Sequence, residues 1–219
     1  MTRKGRSYGE GCAAAHALDL VGERWALLVV RELVLGPKRF TDLRTGIPGA
    51  SPNVLSQRLR ELDAAGVIHH RRLAPPAASS VYELTEWGQD LEPVLQTLGR
   101  WGARSPAMPF GAPISVSALI LSLRTMADGH SATGPSVDVE LHLDDERFHV
   151  RAGRGRMEID RGPAEDADAV VVTDPATLNA LLLGDRELDD AVRSGQARVQ
   201  GDPAAFASLQ RLFPLPAVA

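Results

Sequence analysis

Residues 36–85 constrain the fold of this 219-residue chain more tightly than any other stretch. At their centre lies a helix whose two ends are both written in the sequence. Ser51 offers a side-chain oxygen to the first free amides, Pro52 follows at the first helical position, and Gly66 supplies a left-handed stop. Before it, residues 39–45 read as a shorter helix with Phe40 and Leu43 turned inward, and Gly46-Ile47-Pro48-Gly49 makes the turn between the two. After it, residues 67–73 and 80–84 read as strands joined by 74–79. Upstream, residues 11–35 form a helical pair bent near Gly22 and stopped by Gly36-Pro37. Downstream, Thr85 caps a last helix with Leu91, Val94, Leu95, Leu98 and Trp101 along one side.

Two short helices around a tight turn, then a β-hairpin, are the layout of a winged helix-turn-helix, in which the second helix enters the DNA major groove. At 100° per residue, Leu55, Leu59 and Leu62 share a narrow arc that faces the core. The opposite arc carries Asn53, Gln57, Arg60 and Ala64, with Ser56 beside it. Arginine can bridge guanine, and asparagine or glutamine can bridge adenine, so this arc is the candidate base reader. Arg58 lies toward the flank, as a candidate phosphate contact. Lys38, Arg39 and Arg44 around the preceding helix, and Arg71 and Arg72 on the wing, join it.

The overall charge of −4 argues against nucleic acid until the chain is divided. Residues 1–105 carry 14 Lys and Arg against 11 Asp and Glu, whereas residues 106–219 carry 10 against 17. A basic front and an acidic back imply two modules with different partners. The basic start (Arg3, Lys4, Arg6) resembles a secretion signal only until Asp19, Glu23 and Arg24 interrupt the apolar run. No window reaches the length of a membrane span. One cysteine excludes an internal disulfide and fits a reducing cytoplasm.

Pro106, Pro109, Gly111 and Pro113 mark a linker over 106–113. Beyond it, residues 114–127 read as a helix, and Val137, Val139, Leu141 and Leu143 alternate with polar residues as a half-buried strand. Residues 148–150, 157–159, 169–173 and 198–200 give further strands. Asp174-Pro175 and Asp202-Pro203 each open a helix, with a shorter one near 188–193 between them. The whole is expected to be α+β with two domains, 1–105 and 114–219.

Chemistry-bearing residues form no catalytic set. Asp144-Asp145-Glu146 reads as a solvated turn, and the consecutive His69 and His70 point to opposite faces of a strand. Phosphate-binding, dinucleotide and serine-elbow signatures are absent from the sequence, so neither an enzyme, a cofactor nor a metal is expected. Cys12 and His16 stand four apart on one helical face, where an imidazolium could lower the thiol's pKa and favour oxidation. A small residue packed in an interface is the alternative for Cys12.

Residues 12–102 resemble the HxlR family of winged-helix regulators. The likeness is carried by Cys12, Leu18, Gly22-Glu23-Arg24-Trp25, Gly36-Pro37-Lys38-Arg39-Phe40 and Ile47-Pro48-Gly49. It continues through Ser51-Pro52, Leu55-Ser56-Gln57-Arg58-Leu59, Leu62, Gly66, Tyr82-Glu83-Leu84-Thr85, Gly88 and Trp101-Gly102. The resemblance implies a homodimer joined through its terminal helices on a two-fold related operator in double-stranded DNA. It carries DNA contacts onto Lys38, Arg39, Ser51, Asn53, Ser56, Gln57, Arg58 and Arg60. Cysteine-based sensing at the place of Cys12 is a further property of some members. The uncharged wing tip, 74–79, departs from the pattern and leaves wing contacts to Arg71, Arg72 or the backbone.

Residues 114–212 resemble the sterol-carrier-protein fold, a small sheet with covering helices. The carriers are 168–173, Leu181-Leu182-Leu183-Gly184-Asp185 and 191–202. This resemblance implies a cavity for a hydrophobic small molecule, for which Leu119, Leu123, Val139, Leu141, Phe148, Leu178 and Leu182 are candidate lining; a packed core is the competing reading. Three functions follow from the sequence: a DNA-binding regulator modulated by such a ligand, the same regulator switched through Cys12, or a lipid carrier whose winged helix binds protein.

Overall fold

A computed structural model describes residues 7–74, 79–109, 112–127, 136–153, 156–184 and 186–213. The chain forms two compact units, Met1–Leu95 and Gln96–Ala219.

In the first unit, helices α1 (Ala13–Val21), α2 (Ala26–Leu33), α3 (Phe40–Gly46) and α4 (Pro52–Ala64) precede a two-stranded antiparallel wing, β1 (Ile68–Arg72) and β2 (Ser80–Leu84). The expected ends of α4 form as written. Ser51 Oγ accepts from the Val54 amide, Pro52 sits at the helix start, and Gly66 turns at φ 73°. Leu55, Leu59 and Leu62 of α4 meet Val29, Val30 and Leu33 of α2, Leu43 of α3 and Ile68 of β1 in one core. Trp25, at φ 78° where the chain enters α2, packs so close to the turn that a Cβ at Gly49 would lie 2.6 Å from its Cη2. The wing tip at 75–78 and part of the expected linker, 110–111, lie outside the described residues.

The last helix expected of this region is two pieces, α5 (Glu86–Gln89) and α6 (Leu91–Ala103). Thr85 caps only the first: its hydroxyl accepts from the Gly88 amide and donates to the Gly66 carbonyl. Val94, Leu98 and Trp101 are all exposed on α6, Trp101 by 77%.

The second unit holds α7 (Val116–Met126), strands β3 (Val137–Leu143), β4 (Glu146–Gly153), β5 (Arg156–Arg161) and β6 (Ala169–Thr173), then α8 (Pro175–Leu183), α9 (Leu188–Arg193), β7 (Ala197–Gly201) and α10 (Pro203–Gln210). The sheet order is β5-β4-β3-β6-β7; β3 and β6 are parallel and every other pairing is antiparallel. Alternation buries Val137, Val139, Leu141 and Leu143 of β3 as expected. It fails at Glu140, which belongs to the opposite face and is nevertheless buried. Its carboxylate accepts from the Ala164 amide at 2.9 Å and pairs with His142. Burial alone would raise its pKa, but the Ala164 amide and His142 outweigh that and hold it below the usual carboxylate range.

Candidate nucleic-acid interface

Helix α4 sorts its side chains as an amphipathic reader must. Leu55, Leu59 and Leu62 are buried, whereas Asn53, Gln57, Arg60 and Ala64 are exposed and Ser56 is half-buried beside them. The Gln57 amide nitrogen donates to a Glu61 carboxylate oxygen at 2.9 Å. Ser51 stands exposed at the helix start, its oxygen engaged in the cap. Arg39 and Arg44 are exposed at the two ends of α3, as is Arg72 on β1. The backbone of Arg39 is fixed by the Asp42 carboxylate, which accepts its amide proton at 3.1 Å.

Two expected phosphate contacts are placed otherwise. Arg58 is only 9% exposed, because position 58 borders the buried arc of α4 next to Leu62. Its guanidinium meets Glu61 at 2.6 Å and Glu23, from the α1–α2 elbow, at 3.6 Å. Arg58 therefore ties the helix to the elbow. Lys38 exchanges backbone hydrogen bonds with Tyr82, which aims its side chain inward. There its Nζ lies 2.8 Å from the fully buried carboxylate of Glu32, itself 2.9 Å from Arg31. Gly46 is needed beside this cluster, since a Cβ there would come within 2.4 Å of the Glu32 carboxylate. Sequence reasoning missed both clusters; the signals were Glu32 inside the apolar spacing of α2 and the spacing of three between Arg58 and Glu61 on α4.

Arg71 is partly occupied as well. Its guanidinium meets Glu83 at 2.6 Å, and this hydrogen bond is the leading cause that holds the Glu83 carboxyl low and the Arg71 pKa high. His69 meets Glu83 at 2.7 Å, whereas His70 stacks on Tyr82 with centroids 4.6 Å apart.

Cys12 is exposed at the N-terminal boundary of α1. Its thiol is held below the ordinary value by the amides of Ala15 and then Ala14. Helix amides thus replace the expected His16 imidazolium as the source of the shift. In the second unit all seven candidate lining residues are buried: Leu119, Leu123, Val139, Leu141, Phe148, Leu178 and Leu182. Among the described residues no group of three or more His, Cys, Asp and Glu could hold a metal ion, and no helix is long and apolar enough to cross a membrane.

A helix-turn-helix with a two-stranded wing and a polar outer face on its second helix defines a DNA-binding regulator. Residues 20–108 match the HxlR-like helix-turn-helix family. Over 97 residues the chain is 37% identical to the HTH-type transcriptional regulator YdeP of Bacillus subtilis, covering 43% of this chain and 74% of YdeP. The chain belongs to the HxlR-like helix-turn-helix family of transcriptional regulators. Among solved structures, the reduced form of the B. subtilis transcriptional regulator YodB is 31% identical, with 45% of this chain and 97% of that one covered at a TM-score of 0.40.

Residues 113–217 match the alkyl sulfatase C-terminal family, whereas the sequence alone pointed to the sterol-carrier fold. The inverting sec-alkylsulfatase Pisa1 from Pseudomonas sp. is 17% identical over 46% of this chain, with a TM-score of 0.42. The chain spans 16% of that enzyme's length.

Proposed function

We propose that the chain acts as a homodimeric, sequence-specific regulator on a two-fold related operator, and not as an enzyme. Asn53, Gln57 and Arg60, with Ser56, read base edges; Arg39, Arg44 and Arg72, with Ser51 at the helix start, position the phosphates. Arg71 shares its charge between Glu83 and the duplex. The observation that carries this reading is the exposed polar face of α4 opposite three buried leucines, in a family of DNA-binding regulators. Exposed Val94, Leu98 and Trp101 on α6 and Leu18 on α1 support pairing of two copies through terminal helices. Residues 114–219 then serve as the sensing module, joined through 106–113: a sterol-carrier-like, acidic unit that takes a hydrophobic small molecule among its buried leucines. Cytoplasmic residence follows from the same role. Titrating the purified protein against duplex DNA over a range of salt tests the reading. The expected result is sequence-selective, salt-sensitive binding; a salt-insensitive protein with no preferred duplex would remove it.

A second reading rests on Cys12, whose exposed thiol is acidified by helix amides. Mild peroxide or diamide should then change operator affinity in the wild type and leave Cys12→Ser unresponsive. Equal responses in both proteins would exclude a thiol switch.

A further inference from the structure

Four side chains link the α1–α2 elbow to the outer face of α4. Glu23 meets Arg58 at 3.6 Å, Arg58 meets Glu61 at 2.6 Å, and Glu61 accepts from the Gln57 amide nitrogen at 2.9 Å. Arg58 is buried, so it anchors Glu61 from within the fold, whereas Gln57 is exposed on the proposed base-reading face. We propose that Glu61 is a positioning residue for DNA specificity, orienting Gln57 so that it selects adenine.

Donors and acceptors decide which way the Gln57 amide faces. A carboxylate only accepts, so the end of the Gln57 amide that faces Glu61 must be its NH2 group. That group has two protons, and Glu61 takes one of them. The remaining proton and the amide oxygen form the outward edge, a donor beside an acceptor. Adenine presents the complement in the major groove, an N7 acceptor beside the N6 donor. A free glutamine on a helix surface can flip its amide and rotate its side chain; one held from behind by an anchored carboxylate loses that choice. Arg58 keeps Glu61 in place, and its own buried position explains why an arginine on the reading helix spends its charge on two carboxylates instead of on the duplex.

Glu61 also brings a negative charge to a helix meant to approach phosphate. Its removal must therefore strengthen binding to every duplex, while loss of its hydrogen bond weakens discrimination. The two effects have opposite directions and can be separated.

This proposal rests on the reading of α4 as the base-contacting helix, and the test distinguishes failure of the one from failure of the other. The best duplex is selected from random DNA with the full-length wild type, and affinities are measured for it and for single-base variants. The wild type should prefer adenine at one position per half-site by about tenfold, a preference that Gln57→Ala removes. Glu61→Ala should cut that preference about threefold or more while tightening all duplexes. Glu61→Gln, which keeps an acceptor without the charge, should tighten all duplexes and retain the preference. Glu61→Asp keeps the charge but withdraws the acceptor by one methylene, and should lower the preference without tightening. In the Gln57→Ala background, Glu61→Ala should change the preference no further. An unchanged adenine preference in both Glu61→Ala and Glu61→Asp overturns the positioning role, as does equal loss in Glu61→Gln and Glu61→Ala. If Gln57→Ala leaves every base preference intact, the base-reading assignment of Gln57 fails instead.

Discussion

Lys38 lies 2.8 Å from a carboxylate that water does not reach, and Arg60 stands exposed on α4. The same charge does different work in the two places. Truncating one partner of a buried ion pair leaves the other uncompensated. Lys38→Ala should therefore destabilise the protein by about 1–3 kcal/mol, with Arg31 still paired to Glu32. Denaturant unfolding checks this; unchanged stability would mean that the pair is dispensable. Arg60→Ala should leave unfolding unaltered and cost about 1–3 kcal/mol of discrimination at one or two bases per half-site. Arg39→Ala should weaken all sequences alike and lower the salt slope by about one. The sequence alone grouped all three as DNA contacts, because composition and helical spacing report charge and direction, not partners. What separates Lys38 is its backbone pairing with Tyr82, more than forty residues away, which no local pattern encodes.

At the scale of elements, ends were more legible than interiors. Ser51-Pro52, Thr85, Asp174-Pro175 and Asp202-Pro203 all start helices where local chemistry requires it, and each cap side chain accepts an amide hydrogen bond. The break between α5 and α6 at Asp90 was not legible, since the apolar spacing runs on beyond it. Nor was the burial of Glu140 on β3, because strand alternation assigns a face but not what covers it. The caps support a direct prediction. Asp174→Ala removes the acceptor for the Thr177 amide, 2.9 Å away, and should cost about 1 kcal/mol in equilibrium unfolding. The exposed α6 face supports another. Leu98→Glu should shift a dimer toward monomer in sedimentation while leaving secondary structure intact, and an unchanged sedimentation profile would place the dimer contact elsewhere.

For the whole molecule, charge divides the chain into a basic front and an acidic back, and separate family matches cover 20–108 and 113–217. Whether the buried residues of the acidic unit line a cavity or fill a core was not legible, because lining and core residues share one apolar composition. Its acid response is a consequence of structure. Burial alone would raise the pKa values of Glu140 and Asp174, yet both are held low, Glu140 by the Ala164 amide and His142, Asp174 by the Thr177 hydroxyl and amides. A carboxylate with a depressed folded pKa adds stability above its unfolded value and loses it as pH falls through the folded one. The second unit should therefore weaken as pH drops below about 4, the usual carboxylate range, which far-UV and near-UV spectra across an acid titration would register.

As proposed, α4 reads DNA sequence on behalf of a paired molecule. Selection of bound duplexes from random DNA by the purified full-length protein tests it most directly. The expected result is enrichment of two related half-sites about one helical turn, 10–10.5 base pairs, apart or a multiple of that spacing, with affinity that falls steeply as salt rises. Recovery of unselected sequence, with binding indifferent to salt, would contradict it.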